Sequence, residues 1–272
     1  MKTEMLSKMV REVCVVICIF MYFMSNALAG NSVYIDEKGN VFQYSTPEEA
    51  QKMPQIVNDL KNGIEAYNKK DYKEAIIRLT NAANAKNTQA MVVLGICYQY
   101  GLGTDVDYQK AIDYYSEAAQ GLPKQVEAMN YAGRLYLIQA VKSTSNDEKN
   151  KLIMAAKSWF EQASINEHAE SQTTLGEYYY GAWKRILPTV DFENIASHAT
   201  SALWYMKAAG NGEVQAMLAL GDMYVRGDGV PKDYDKAREF FRKAAAKGNS
   251  HAQKFLKEMD KKIEDKKVDT ID

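Results

Sequence analysis

The sequence predicts an all-α chain, a right-handed α-solenoid of stacked helix pairs that follows a signal peptide and a short β-hairpin. Three observations carry that prediction. A pattern of small and aromatic residues returns at intervals of about 36 to 47 residues between Ala90 and Ala252. Within each copy the apolar positions recur at helical spacing, not in strand alternation. Glycine and proline number 16 and 5 in 272 residues, too few and too scattered for long structureless tracts.

The first segment, 1–29, is expected to be a signal peptide. Lys2, Lys8 and Arg11 precede an apolar run from Val13 to Met24, and Ala27-Leu28-Ala29 supplies the small-x-small pattern that a signal peptidase cuts. The run is shorter than the roughly 20 residues a spanning helix needs, so no membrane span is expected after cleavage behind Ala29. The mature chain is therefore expected in the periplasm or outside the cell. Cys14 and Cys18 leave with the signal, and Cys97 alone cannot form an intramolecular disulfide. Its helical, apolar context makes it a small buried filler.

Residues 30–55 read as a hairpin and lead-in. Val33-Tyr34-Ile35 and Val41-Phe42-Gln43-Tyr44 flank a polar turn holding Gly39 and Asn40. Thr46-Pro47-Glu48-Glu49 then offers an N-cap, a proline in the first turn and a glutamate three residues past the cap, which together start a helix. The solenoid is expected over 56–258. The charged stretch 259–272 is expected to extend the last helix and fray.

The repeat is clearest at its two ends. Gln89-Ala90 leads to Leu94-Gly95-Ile96-Cys97-Tyr98, Gly101-Leu102-Gly103, Asp107-Tyr108-Gln109-Lys110-Ala111, Tyr114-Tyr115 and Ala118-Ala119. Gln215-Ala216 leads in the same order to Leu220-Gly221-Asp222-Met223-Tyr224, Gly227-Asp228-Gly229, Asp233-Tyr234-Asp235-Lys236-Ala237, Phe240-Phe241 and Ala244-Ala245. Two degenerate copies lie between, one from Ala128 through Gly133 to Phe160, the other marked by Ala169, Gly176 and Tyr205; neither keeps the Gly-x-Gly turn. An earlier pair, around Gly63 and Asp71-Tyr72-Lys73-Glu74-Ala75, has the same helical logic.

In each first helix, small and apolar residues such as Ala90, Leu94 and Tyr98 form one stripe, and the central glycine admits a close neighbour. The second helix supplies the aromatics that fill that space. Neither stripe can be buried by one pair alone, so the pairs must stack.

This pattern resembles the Sel1-like repeat, a relative of the TPR, over most of Gln89 to Gln253. The resemblance implies a protein-binding solenoid whose first helices line a concave face. Counting −6, −3, +1, +4 and +5 from each repeat glycine gives the residues that point away from the stripe. For Gly95 these are Gln89, Val92, Ile96, Gln99 and Tyr100, and for Gly133 they are Glu127, Asn130, Arg134, Leu137 and Ile138. For Gly176 they are Glu170, Thr173, Glu177 and Tyr180, and for Gly221 they are Gln215, Leu218, Asp222, Val225 and Arg226. Such a mixture of aromatic, aliphatic, amide and arginine side chains suits protein recognition. The insertion Ala182 to Phe192 adds Trp183, an interaction residue if exposed and a repair of the degenerate unit if buried.

The expected partner is another protein. Sel1-like proteins of this kind include periplasmic immunity proteins against phospholipase-type effectors, so that role is one implication, and an envelope-complex adaptor is the alternative. A net charge of −1 gives no field to draw nucleic acid. No cofactor or metal is expected: the glycine turns follow helices and lack a Gly-Lys-Ser/Thr ending, and the three histidines are dispersed. A third reading, a hydrolase on cell wall or β-lactams, predicts convergent ionisable groups in a pocket, and a tight cluster of Glu170, Glu177 and His198 would favour it. The chain also lacks the regularly spaced cysteines of the group linked to β-lactams.

Overall fold

The computed structural model describes residues 32–190 and 197–258. The expected signal segment 1–29, Gly30, Asp191 and Phe192 of the insertion, and the tail 259–272 lie outside them. The described chain is an all-α solenoid of helix pairs preceded by a two-stranded sheet. It divides into two compact units that meet at Ala128 and Met129.

The first unit opens with β1 (Ser32–Ile35) and β2 (Val41–Tyr44), antiparallel, with Tyr34 opposite Phe42 and Val33 opposite Gln43. Asp36 closes the turn by accepting from the backbone N–H groups of Lys38 and Asn40 at 2.8 and 2.9 Å. The hairpin docks on the helices: Phe42 is fully buried, the Gln43 N–H donates to the Ala85 carbonyl at 2.7 Å, and Asn87 Nδ2 donates to the Val41 carbonyl at 3.2 Å.

Four helices follow in this unit: α1 (Pro47–Asn68), α2 (Tyr72–Asn84), α3 (Thr88–Tyr100) and α4 (Tyr108–Gln120). Both arms of the capping box at Thr46 and Glu49 form, which fixes the start of α1 at Pro47. The boundary expected at residue 56 therefore falls inside α1, and the solenoid begins nine residues earlier than the lead-in reading placed it, at Pro47.

α5 (Val126–Lys142) spans the division. The second unit continues with α6 (Asn146–Ile165), α7 (Ala169–Tyr180), a 3-10 turn (Ala182–Arg185), α8 (His198–Gly210), α9 (Val214–Arg226) and α10 (Tyr234–Ala246), and residues 250–258 are helical. Side chains of Asn87, Asp107, Ser145, His168, Ser197, Glu213 and Asp233 cap the helix N-termini, each satisfying an N–H that the helix leaves orphaned.

One packing device recurs in every pair. The repeat glycine of the first helix lies against a side chain of the second, so that a Cβ there would stand 2.7 Å from Leu79 at Gly63, 2.5 Å from the Tyr115 ring at Gly95, and 2.9 Å from Phe160 at Gly133. At Gly176 the ring is Tyr205 and at Gly221 it is Phe241, both 2.6 Å away. Tyr115, Phe160 and Phe241 are fully buried, as the stripe argument requires. The two strong copies match in detail: Tyr98 stacks on Tyr114 and Tyr224 on Phe240, each at 5.8 Å between centroids.

The third copy differs from the expected register. His168 caps α7 in the place held by Asn87 and Glu213, so Ser171, fully buried, takes the position of Ala90 and Ala216, and Ala169 does not. Its turn is also partly kept. Gly181 ends α7 in the left-handed conformation, φ 77°, as Gly101 and Gly227 end α3 and α9, and the 3-10 turn replaces the second glycine.

Candidate protein-binding face

In the first unit, α3 presents Gln89 and Tyr100 to solvent, with Tyr100 64% exposed, while Val92, Ile96 and Gln99 are half-buried. Gln99 Oε1 accepts the Tyr115 hydroxyl at 2.8 Å, so its amide is tied to its own repeat. Gln89 also borders a concavity of about 620 Å³ between the hairpin and α1, whose walls include Tyr34, Asp36, Val57, Leu60, Lys61 and Ile64.

In the second unit, the first helices α5, α7 and α9 and the 3-10 turn line a concavity of about 560 Å³. It gathers seven of the expected residues: Arg134, Leu137, Glu170, Thr173, Glu177, Trp183 and Gln215. Position along the helix explains this, because +1, +4 and +5 from each glycine fall on the face opposite the buried stripe. Ala182, Arg185 and Ile186 of the insertion complete the lining with Thr174 and Glu213, which lie off the counted positions.

Part of this polar lining is engaged within the repeat array. Glu170 on α7 accepts from Arg134 Nη1 at 2.6 Å and from Asn130 Nδ2 at 2.9 Å, both on α5, and Ser171 Oγ donates to Asn130 Oδ1 at 3.2 Å. Asn130, 1% exposed, is thus a strut between consecutive first helices and no surface residue; burial corrects its assignment to the partner-binding set. Thr173 is also nearly buried, 7% exposed, and its hydroxyl donates to the Ala169 carbonyl at 3.1 Å.

Glu177 differs. It is exposed on the wall of the concavity, and partial loss of hydration there pushes its carboxyl above the usual range against the opposing pull of Arg185. A carboxylate held in that state gains from an incoming donor or cation. Trp183 takes the buried alternative: 4% exposed, it meets Phe160 and Tyr178 edge to face at 6.2 and 5.0 Å and belongs to the core with Leu187 and Val190. Its assignment as an interaction residue is corrected on that ground.

Tyr180, Asp222 and Arg226 share a smaller concavity of about 170 Å³ with Tyr205 and Met223. The Tyr180 hydroxyl donates to Asp228 Oδ2 at 2.7 Å and its ring stacks on His198 at 4.6 Å, while His198 Nδ1 bonds Asp228 Oδ1. Leu218, half-buried, packs on the core of α8, α9 and α10.

Of Glu170, Glu177 and His198, the first two line one concavity and His198 is not among its lining residues. Glu170 is paired with Arg134, and His198, at the start of α8, is bound to Asp228. Among the described residues there is no group of three or more His, Cys, Asp or Glu side chains placed to hold a metal ion. No helix among them is long and apolar enough to cross a membrane.

The Sel1 repeat matches residues 88–121 and 214–249. Over 187 residues, 69% of this chain and 33% of the relative, the sequence is 29% identical to DAP3-binding cell death enhancer 1 of Mus musculus. It is likewise 29% identical, over 68% of this chain and 35% of the relative, to an uncharacterized protein of Neisseria meningitidis serogroup B. The chain thus spans about a third of the length of these relatives. Among solved structures, it is similar to c5321, a protective antigen present in uropathogenic Escherichia coli strains that displays an SLR fold, with TM-score 0.62 and 26% identity over 77% of this chain and 42% of that one. It is also similar to a Sel1 repeat protein from Oxalobacter formigenes, with TM-score 0.57 and 27% identity over 72% of this chain and 73% of that one.

Proposed function

The chain is a Sel1-like repeat protein, and from that premise we propose that it works without catalysis, by holding another protein against the first-helix face of its second unit. The observation that carries this reading is the concavity built by α5, α7, α9 and the 3-10 turn, which the exposed side chains of Glu177, Arg185, Ile186 and Gln215 line together. The first helices of three consecutive pairs supply the lining, a span that suits a protein segment. That the mouse relative is named for binding another protein supports the class of partner.

The finer reading is that the chain is exported, on the strength of the charged, apolar and small-residue order in 1–29, and restrains a secreted phospholipase-type effector as an immunity protein. An envelope adaptor is the alternative, and the captured partner's identity separates the two. The test is affinity capture by the chain from Gly30 and by its Glu177→Arg/Gln215→Arg variant. A single stoichiometric partner held by the parent and lost by the variant, with the far-ultraviolet circular dichroism unchanged, is the expected result; equal retention by both would sink the assignment of this face.

A further inference from the structure

The hairpin offers a second contact of a different kind. Two bonds on the far side of β2 fix the ladder's phase: the Gln43 N–H donates to Ala85 and the Val41 carbonyl accepts from Asn87, so both residues point their backbone groups away from β1. In an antiparallel ladder, directly opposed residues share one phase. Val33 opposite Gln43 and Ile35 opposite Val41 must therefore also turn their N–H and C=O groups outward, to the other edge of the sheet. Among the described residues those groups meet no partner.

β1 carries none of the usual guards of an edge, since Ser32-Val33-Tyr34-Ile35 contains no proline and no charge. The concavity of about 620 Å³ lies on the same side, for its hairpin wall is made of Tyr34 and turn residues such as Asp36 and Asn40. Its floor is apolar, from Pro54, Val57, Leu60 and Ile64 of α1. Ile35, 43% exposed, adds an apolar rim on the opposite sheet face.

We propose that β1 pairs with an extended segment of a partner protein, which becomes the third strand of the sheet and seats one apolar side chain in the concavity against α1. The free N–H and C=O groups of Val33 and Ile35 select an extended backbone over a helix, and strand alternation sends every second side chain of that segment to the α1 side. The proposal rests on the reading of this chain as a protein-binding module but uses a surface of the first unit, separate from the concavity of the second.

The probe is a set of peptides of about twelve residues selected from a random display library on the chain from Gly30. Selected peptides should centre on an apolar residue between β-branched neighbours and lose about tenfold or more in affinity for Val33→Pro. Proline at that position removes an outward N–H and leaves the β1–β2 ladder bonds in place, as edge strands allow. The same peptides should bind Glu177→Arg/Gln215→Arg as they bind the parent, which separates this surface from the first. By hydrogen exchange, the Val33 and Ile35 amides of the parent should exchange fast when free and slow when peptide is added, a readout that holds even if the proline variant misfolds. Failure to select any peptide, equal binding by a folded Val33→Pro chain, or amides that stay fast in the complex overturns the proposal. A chain that is dimeric without peptide, with both amides already slow, gives the edge to a second copy and overturns it as well.

Discussion

At the scale of single residues, the repeat glycines are set by what stands opposite them. Gly221 has no unusual backbone, but a methyl group there would meet the buried Phe241 ring at 2.6 Å, and a ring held on every side has no free direction to move. Gly221→Ala is expected to destabilise the chain by about 1–3 kcal/mol in urea denaturation, the usual cost of overpacking a core. Cys97 was legible as a filler because nothing beside it in sequence could activate a thiol. The structure agrees: it is fully buried, and burial pushes its thiol up to about 11. It should resist iodoacetamide at neutral pH and react at once in urea. The folded state holds this proton above the pH at which the unfolded thiol, near 8.5, releases it. Its contribution to stability is thus constant below that value and is lost as pH rises toward 11, which chemical denaturation at pH 7.5 and 10 would reveal against Cys97→Ala.

At the scale of elements, the joint between α1 and α2 depends on one buried carboxylate. Asp59, 3% exposed, accepts from Arg78 Nη1 and Asn81 Nδ2 at 2.9 Å each and from Gln55 Nε2 at 3.2 Å. Burial alone would push its pKa up, and the three donors outweigh burial and hold the carboxyl below the usual range. A lowered folded value stabilises the fold above the unfolded value near 3.9 and withdraws that support as pH falls through the folded one. Asp59→Ala should cost about 1–3 kcal/mol at pH 7 by leaving donors unmatched, and the gap between variant and parent should narrow below pH 4 in thermal unfolding. Sequence periodicity placed both helices but was silent on this residue, because the burial of a polar group is decided by partners 19 and 22 positions away. The same limit hid the docking of the hairpin. Phe42→Ala is expected to loosen it, seen as faster exchange of the Gln43 amide that bonds Ala85.

At the scale of the whole molecule, the fold class, the helix pairs and the glycine-to-aromatic contacts were all readable, since each depends on spacing that a repeat prints several times over. The site was readable in part. Counting from the glycines found the helix faces, yet it could not tell Glu177, free to meet a partner, from Asn130, which meets the next helix. That distinction depends on how consecutive first helices approach each other. The irregular stretch from Ala182 escaped the count altogether, because a single copy has no second instance to reveal its pattern.

The second turn glycines hold a further meaning. Gly103 rests on the backbone and Cβ at Tyr72, and Gly229 on the backbone at His198, in each case the start of the preceding pair's second helix. Contact made largely through main chain does not ask which side chains the preceding pair carries. Units that end their first helix in this way can follow many neighbours, and gene duplication can insert or delete them like interchangeable links. The unit closed by Trp183 meets its preceding pair instead through the Phe160 side chain, which ties that link to one neighbour.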